Sequence, residues 1–409
     1  MRVLIVTSGS MGDVAPYTGL GAGLRAAGHE VTLAAHEPFR SYVAGAGLGF
    51  EPLAGDLRGT LANALGGAGP RALARQFRLA RPLIASLGTG IVDAADSARP
   101  EVMLLSTMVA PLGYQVAEAY GVRRAGVFLQ PVHPTREFGS VLFGGRSLGA
   151  AGNRLAGLAA TRGIEPLYAG PVRDLRLRLG LPRGRLASLR RAQEFAAPTF
   201  HGYSPAVLPR PADWPAPLRV TGFWWPAPDP SWQPPAALSA FLASGPRPVF
   251  VGFGSMAPGQ GERLGSIVST AVRRAGVRAV VQAGWSGLAA GGEHVLSIGE
   301  APHSWLFPRM AAVVHHAGAG TAAAGLRAGV PAVAVPVLAD QPFWARRLTE
   351  LGVAPGPLPL PSLTADRLAA ALRAVTTDPH HAARAAAIAA RLRAEDGAQP
   401  VLDWLAKLP

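Results

Sequence analysis

Hydrophobic residues form short runs along the chain, and segments with helical spacing separate them. RVLIVT at 2–7 and EVTLAA at 30–35 are two such runs, with leucines at helical spacing between them. A helical segment near 70–97 precedes VMLLST at 102–107, and AGVFLQ follows at 125–130. Strand, glycine loop, helix and strand in this order indicate a parallel sheet, so the first half is predicted to be an α/β unit.

The same order begins again after a segment dense in proline and tryptophan, WWPAPDPSWQPP at 224–235. Proline at this density suits neither a helix nor a central strand, which predicts a stiff linker. Nearly continuous apolar runs follow, as strands covered on both faces require. The sequence therefore predicts an α/β fold of two doubly wound Rossmann-like domains that face each other across a cleft. Their expected bounds are 1–223, a linker at 224–236, 237–395, and a closing helix at 396–409 that packs back on the first domain.

Composition narrows the classes of function. The chain has 409 residues, of which 49% are hydrophobic, and it has no cysteine, which excludes disulfides and a cysteine nucleophile. The net charge of +14 comes almost entirely from arginines scattered among alanines. Scattered arginines indicate solvated helix faces, so no nucleic-acid ligand is expected.

No apolar run reaches the roughly 18 residues that a membrane helix needs. The N-terminus enters a strand at once and lacks the pattern of a signal peptide. Together these features predict a cytoplasmic protein without stable membrane insertion.

The stretch AVVHHAGAGT is the strongest candidate for a ligand-binding site, because ligands of open α/β sheets bind beyond the carboxyl ends of strands. Here an apolar strand ends at His315 and His316, and a turn spaced by Gly318 and Gly320 enters a helix near Thr321. Backbone N–H groups and the positive end of a helix dipole favour an anion there. The pattern indicates a pyrophosphate site built without the lysine of a Walker motif. The alternative is a glycine turn with two structural histidines.

Three other loops follow predicted strands of the second half. Ser255 lies after VFVGF, where its hydroxyl could donate to a phosphate oxygen, although an ordinary strand-end turn explains this motif better when it is judged alone. Trp285 and Pro302 lie in loops that could frame a nucleobase, with a structural tryptophan as the alternative.

Asp340 and Gln341 follow a buried strand, and a carboxylate beside an amide can hold sugar hydroxyls. Asp340 also suits the cap of a helix that begins at Pro342. In the first half, Asp13 lies at a glycine turn that enters a helix, where an aspartate is an ordinary helix cap. A carboxylate facing the cleft at that point could also accept a proton from an attacking alcohol.

Together these motifs resemble the family 1, inverting glycosyltransferases of the GT-B fold. The nearest branch is similar to bacterial enzymes that glycosylate natural products such as glycopeptide aglycones and macrolides, and sterol glucosyltransferases are close by. The matching stretches lie in both halves of the chain: GSMGDVAP, FLQPVHPT, RVTGFWW, VFVGFGSM, APHSWLFPRMAAVVHHAGAGT, GLRAGVPAVAVPVLADQPFWARRL and ELGV.

The resemblance implies a role for each candidate residue. The donor diphosphate would be held by Ser255, His316, Gly318, Gly320 and Thr321; the donor sugar by Asp340 and Gln341; and the nucleotide base by Trp285 and Pro302. Asp13 would be the catalytic base, with Ser10 beside it. Phe128, His133, Thr135 and Phe138 lie near a strand end of the first half and would be close to the acceptor.

The chain departs from the family pattern at two of these motifs. Ala317 stands where relatives commonly have glycine, which is tolerable if its φ is negative. Asp13 stands where many relatives have histidine. Because an aspartate is the weaker base in water, the cleft must raise its pKa.

The implied reaction is an inverting displacement that uses a dTDP- or UDP-sugar as co-substrate, with no other cofactor and no metal, since no Asp-x-Asp signature occurs. The apolar first half suggests a hydrophobic aglycone as acceptor. Two alternatives stay open at this point. One is a non-catalytic relative that binds a sugar nucleotide and assists a partner transferase, and the other is a sugar-nucleotide epimerase.

Overall fold

A computed structural model describes residues 1–55, 70–226, 231–254, 259–284 and 287–408 of the chain. Within these residues the first half contains a seven-stranded sheet and the second half a five-stranded sheet. Every strand pairing in both sheets is parallel. The fold class predicted from the hydrophobic pattern is therefore confirmed.

The first sheet has the order β3-β2-β1-β4-β5-β6-β7. Its strands are β1 (Arg2–Val6), β2 (Glu30–His36), β3 (Gly49–Leu53), β4 (Val102–Leu105), β5 (Arg123–Phe128), β6 (Thr199–His201) and β7 (Leu218–Val220). β4 is buried along its whole length, as its unbroken apolar run requires. β3 was not predicted, because it is a mostly half-exposed edge strand that includes Pro52 and lacks an apolar run.

The second sheet has the order β10-β9-β8-β11-β12. Its strands are β8 (Val249–Gly252), β9 (Ala279–Gln282), β10 (Val295–Ile298), β11 (Ala312–His315) and β12 (Ala332–Ala334). The central strands β8 and β11 are fully buried. The loops that follow these two strands lie at the same edge of the sheet, because β8 and β11 are parallel neighbours.

Helices connect the strands, and several of them end at a left-handed glycine, as at Gly276 and Gly329. The helices are α1 (Met11–Ala26), α2 (Arg40–Gly45), α3 (Pro70–Ala98), α4 (Ala110–Ala119), α5 (Gly149–Arg178), α6 (Leu186–Ala196), α7 (Ala236–Ala243), α8 (Gly261–Ala275), α9 (His303–Leu306), α10 (Ala319–Ala328), α11 (Gln341–Glu350), α12 (Ala365–Thr377), α13 (Pro379–Arg393) and α14 (Gln399–Leu405). None of the helices in the described ranges has both the length and the apolar character needed to cross a membrane.

The two halves are in contact over a shared apolar core. One cluster of buried side chains joins Tyr203 and Trp214 of the first half to Phe250, Phe307 and Trp344 of the second. Helix α1, which begins after β1, also contacts helix α10, which begins after β11. The loops that carry the candidate residues of the two halves are thereby brought towards each other.

The closing helix α14 lies on the first half. Val401 and Leu405 are fully buried in the same cluster as Ile5. The Trp224 indole Nε1 donates to the Gly397 carbonyl oxygen at 2.8 Å, which ties the entry of the linker to the segment before α14. The chain therefore crosses between the halves twice.

Candidate active site

Asp13 lies in the first turn of α1, and its side chain folds back over the loop that follows β1. Its Oδ2 accepts hydrogen bonds from the Ser10 backbone N–H at 2.8 Å and from the Ser10 hydroxyl at 3.0 Å. A Cβ on Gly9, whose φ is +153°, would lie 2.3 Å from Asp13 Oδ2, so the site requires glycine there. Ser10, not Asp13, holds the cap position of the helix.

The bonds from Ser10 leave the second carboxylate oxygen of Asp13 without a hydrogen bond from the described residues. Asp13 is half-buried. Burial raises its pKa, and the two hydrogen bonds from Ser10 oppose that rise. A carboxylate with a raised pKa is a stronger base, which is what the sequence required of an aspartate in this position.

His316 lies in a slot between the backbones of two glycines. A Cβ on Gly318 would lie 2.4 Å from His316 Nε2, and a Cβ on Gly254 would lie 3.3 Å from His316 Cε1. Gly318 is the cap residue of α10, which begins at Ala319. The slot therefore holds the imidazole over the first turn of a helix, where free backbone N–H groups favour an anion.

The imidazole of His316 is neutral near pH 7, because burial lowers its pKa to about 4. Its Nδ1 is buried and has no hydrogen-bond partner among the described residues. Burying an unpaired N–H costs about 1–3 kcal/mol, so we assign the proton to Nε2. His316 then offers one N–H donor at the start of α10.

His315 has a different role. It is fully buried, and its Nδ1 accepts from the Ala317 backbone N–H at 3.0 Å. Burial lowers its pKa to about 3, so the ring is neutral and shapes the turn. The structural alternative considered for the two histidines therefore describes His315.

Ala317 has a φ of +61°, contrary to the negative φ under which the sequence would tolerate it. The left-handed conformation costs about 1–2 kcal/mol for a residue with a Cβ. Its fully buried methyl group packs into the core shared by the two halves, which offsets that cost. Beyond it, Gly320 is exposed, and Thr321 is half-buried in the first turn of α10 and not at its start.

Asp340 precedes α11, which begins at Gln341 and not at Pro342. Asp340 holds the cap position, but its carboxylate makes no capping hydrogen bond, so the expected capping role is wrong. Its Oδ2 instead accepts from the Trp344 indole Nε1 at 3.0 Å. Gln341 is buried, and its side-chain Oε1 accepts from the backbone N–H groups of Val337 and Leu338 in the loop before the helix. Its side-chain nitrogen makes no hydrogen bond with the described residues.

The two candidate carboxylates are close enough for their charges to interact. Burial, together with the negative charge of Asp13, raises the pKa of Asp340 to about 6. Each half of the protein thus supplies one carboxylate to the same space. Two carboxylates in different environments can divide two tasks, one accepting a proton and the other binding hydroxyls.

The first half also brings together an aromatic cluster after β5. His133 stacks on Phe128 with ring centroids 5.6 Å apart, and Phe138 contacts Trp214 at 6.5 Å. His201 stacks on Trp214 at 4.6 Å. Of these rings, sequence reasoning missed His201 and Trp214. His201 is the last residue of β6, and a histidine at a strand end is a usable signal, whereas nothing in the sequence around Trp214 marks it.

The hydrogen bonds of this cluster fix its tautomers. His201 Nδ1 lies 3.0 Å from the Arg219 carbonyl oxygen, so Nδ1 must carry the proton. Burial lowers the pKa of both His201 and His133, the latter to about 4, so both rings are neutral. His201 Nε2 therefore accepts from His133 Nδ1 at 3.1 Å, and His133 Nε2 is left as a lone-pair acceptor.

Four other residues that the sequence predicted for the site either have side chains or positions less suited to a ligand or lie outside the described residues. Thr135 is buried, and its hydroxyl donates to Asp213 Oδ1 at 2.5 Å, so it is not free for an acceptor. Pro302 is half-buried at the cap of α9. Ser255 and Trp285 lie outside the described residues.

We predict that His316→Ala raises the dissociation constant of thymidine diphosphate about 10- to 100-fold, the usual effect of losing a hydrogen bond to a charged group. Titration calorimetry of the full chain measures it. His294→Ala, at an exposed histidine of the same half, should change nothing. Equal affinity in His316→Ala and the unaltered chain would contradict the role of the imidazole.

Comparison with known proteins agrees with this arrangement. The model of the erythromycin biosynthesis protein CIII-like C-terminal domain matches residues 280–408, and that of the glycosyltransferase family 28 N-terminal domain matches residues 3–120. The chain is 38% identical to O-mycaminosyltylonolide 6-deoxyallosyltransferase of Streptomyces fradiae, over 98% of this chain and 95% of that protein.

A second relative is a sterol 3-beta-glucosyltransferase of Arabidopsis thaliana, 33% identical over 97% of this chain and 64% of the relative. Among solved structures, a glycosyltransferase of Streptomyces sp. SF2575, complexed with thymidine diphosphate, superposes with a TM-score of 0.66. Its sequence identity is 24%, over 98% of both chains, so this likeness concerns the fold.

Two parallel-sheet α/β domains that face each other are the GT-B architecture, which this chain shares with the solved glycosyltransferase. The chain belongs to the glycosyltransferases of the family 1 and family 28 type, as its 38% identity over 95% of the Streptomyces fradiae relative shows. It is an enzyme that transfers a sugar from a nucleoside-diphosphate sugar. The resemblance seen in the sequence motifs is confirmed, and the non-catalytic and epimerase alternatives are not favoured.

Proposed function

We propose that the chain transfers a hexosyl or deoxyhexosyl group from a dTDP- or UDP-sugar to a hydroxyl of a hydrophobic small molecule, with inversion at the anomeric carbon and without a bound metal. The observation that carries the proposal is the pair of carboxylates, Asp13 and Asp340, which opposite halves supply close enough for their charges to interact. The proposal places the enzyme in the cytoplasm and includes no nucleic-acid ligand.

In the proposed reaction the acceptor oxygen bonds to the anomeric carbon as the bond from that carbon to the diphosphate oxygen breaks. The free oxygen of Asp13 takes the hydroxyl proton, which suits its raised pKa. The developing negative charge on the diphosphate is stabilised by the helix α10 N-terminus and the His316 N–H. Asp340 and the Gln341 amide hold sugar hydroxyls.

The donor proposal is supported by the relatives. One solved neighbour is complexed with thymidine diphosphate, and the Streptomyces fradiae relative is named as a 6-deoxyallosyltransferase. Both favour a dTDP-deoxysugar, while the glucosyltransferase relative keeps a nucleoside-diphosphate glucose open as donor. The two donors share the diphosphate, which is the part that α10 and His316 would bind.

The acceptor proposal is supported by the cluster of Phe128, His133, Phe138 and Trp214. The rings of His133 and Phe138 are half-buried and offer apolar contact area, with the buried rings of Phe128 and Trp214 packed behind them. His133 Nε2 offers one hydrogen-bond acceptor for a hydroxyl. The named acceptors of the relatives, a macrolide glycoside and a sterol, share this chemistry of a large apolar skeleton with few hydroxyls.

Calorimetric titration of the full chain with TDP, UDP and NAD is the first test, and selective binding of one diphosphate is expected. The preferred donor is then incubated with O-mycaminosyltylonolide and with a 3β-hydroxysterol, and the product is examined for an inverted anomeric centre. Binding of NAD alone, or retention of anomeric configuration, would overturn the proposal.

We predict that His133→Leu raises the KM of the acceptor about tenfold, because a hydroxyl loses its hydrogen-bond partner. TDP affinity should be unchanged, since His133 belongs to the half opposite α10. His133→Gln, whose amide oxygen also accepts, should recover part of the loss. An unchanged acceptor KM in His133→Leu removes this residue from the acceptor site.

A further inference from the structure

Trp344 is the one side chain in the described part of the chain that donates a hydrogen bond to the Asp340 carboxylate. Its side chain is 3% exposed, and its indole Nε1 donates to Asp340 Oδ2 at 3.0 Å. The two residues are one helical turn apart at the start of α11. With Oδ2 bonded to the indole, Oδ1 is the oxygen left for a ligand.

The backbone that carries Asp340 has little freedom of its own. Ala339 is held at a φ of +56°, a conformation that persists where the surrounding structure imposes it. The Gln341 Oε1 accepts from the N–H groups of Val337 at 2.8 Å and Leu338 at 3.1 Å, which closes the loop on itself. The remaining variable is the rotation of the Asp340 carboxylate, and the indole N–H sets that rotation.

Trp344 itself is held by the other half of the protein. Its ring meets the Tyr203 ring edge-on, with centroids 6.0 Å apart, and Tyr203 is fully buried. The preceding Phe343 contacts Phe138, which belongs to the proposed acceptor cluster, at 5.5 Å. Two aromatic side chains of the first half thus pack against the two aromatic residues of α11.

We infer that Trp344 is the positioning residue for the sugar-binding carboxylate, and that its contact with Tyr203 makes the orientation of Asp340 depend on contact between the two halves. The inference rests on the proposed function, in which Asp340 binds sugar hydroxyls. The Asp340 carboxylate then holds the donor sugar in the orientation needed for transfer only when the acceptor-binding half is packed against α11.

Trp344→Phe tests this, because phenylalanine keeps an aromatic ring in contact with Tyr203 and removes only the indole N–H. Calorimetry of the full chain compares TDP with TDP-glucose, and the ratio of their affinities measures what the sugar contributes. We expect Trp344→Phe to leave TDP affinity unchanged and to lower the TDP-glucose advantage about tenfold, as for one lost hydrogen bond to a charged group. Trp305→Phe, at a half-buried tryptophan of the same half, is the matched control and should leave the ratio unchanged.

A second pair of variants tests the contact between the halves. The Tyr203 hydroxyl has no hydrogen-bond partner in the described residues, so the conservative Tyr203→Phe should retain the TDP-glucose advantage. Tyr203→Leu removes the ring edge that holds Trp344 and should lower the advantage with TDP affinity intact.

The outcomes separate the two proposals. An unchanged affinity ratio in Trp344→Phe overturns the positioning role. If the ratio is unchanged because the affinities for TDP and TDP-glucose fall equally, Trp344 is a purely structural residue. If TDP-glucose binds the unaltered chain no better than TDP, the sugar gains nothing from Asp340 and the inference fails. Absence of TDP binding to the unaltered chain contradicts the proposed function itself.

Discussion

Asp13→Asn is expected to lower kcat about 10²- to 10⁴-fold while TDP binds with unchanged affinity, because positioned bases contribute rate factors of this size. The asparagine carbonyl can still accept from the Ser10 N–H, so the first turn of α1 keeps its hydrogen bond. The amide cannot take a proton from the acceptor hydroxyl. Steady-state kinetics with the preferred donor and acceptor, beside TDP calorimetry, measures both quantities.

Ser10→Ala is the companion variant. The Ser10 hydroxyl donates to Asp13 Oδ2 and lowers the carboxyl pKa, so its removal should raise that pKa. The base is active when ionised, and the acid limb of the kcat profile should therefore move to higher pH. Full turnover by Asp13→Asn would mean that another group, with His133 Nε2 as the nearest alternative by chemistry, takes the proton.

Local sequence patterns predicted the parts of this site that lie within one loop. The apolar run of β11, the two histidines and the spaced glycines were enough to predict an anion site at the start of α10. The glycine turn before α1 likewise predicted that Asp13 faces the other half. Such signals are readable because chain neighbours remain neighbours in space, and because parallel sheets place loops at strand ends.

Contacts between distant segments were not predictable. His133 and His201 are 68 residues apart, and their hydrogen bond decides which nitrogen of His133 is free. The Tyr203–Trp344 contact depends on how two separately patterned halves pack, which no periodicity encodes. The role of Asp340 was not predictable for a different reason. The local rule of helix capping favoured a cap, but the carboxylate accepts from the Trp344 indole one turn away.

Backbone conformation was the other source of error. Ala317 was expected at negative φ because a Cβ disfavours the left-handed region. Its N–H reaches His315 Nδ1, and its methyl group enters the core shared by both halves. Burial and a hydrogen bond at a turn outweighed a local preference worth about 1–2 kcal/mol.

Acid is expected to unfold this protein, because several of its histidines are buried in the neutral form. Burial lowers the pKa of His315 to about 3 and of His133, His303 and His316 to about 4. In the unfolded chain a histidine titrates near pKa ~6.5. Between pH 6.5 and 4 the unfolded state therefore binds more protons, and the free energy of unfolding falls as the pH falls.

The buried carboxylates act in the opposite direction over part of this range. The pKa of Asp340, raised to about 6, makes the folded state bind more protons than the unfolded state below pH 6, and the raised pKa of Asp13 acts in the same direction, which favours folding in acid. The histidines outnumber these two groups, so the net effect is destabilising. A fully buried histidine such as His315 alone lowers the free energy of unfolding by about 2 kcal/mol at pH 5 relative to pH 7.5.

Urea unfolding at pH 7.5 and pH 5 measures the difference, with a lower midpoint expected at pH 5. His303→Phe tests the cause, since His303 stacks on Phe307 at 4.2 Å with an interplanar angle of 14°, a contact that a phenyl ring can keep. From pH 7.5 to pH 5 the free energy of unfolding of this variant should fall by about 2 kcal/mol less than that of the unaltered chain, whatever its stability at pH 7.5. His294→Phe, at an exposed histidine, should keep the full pH dependence. Equal midpoints at the two pH values, with no difference between His303→Phe and the unaltered chain, would contradict the lowered pKa values of these buried imidazoles.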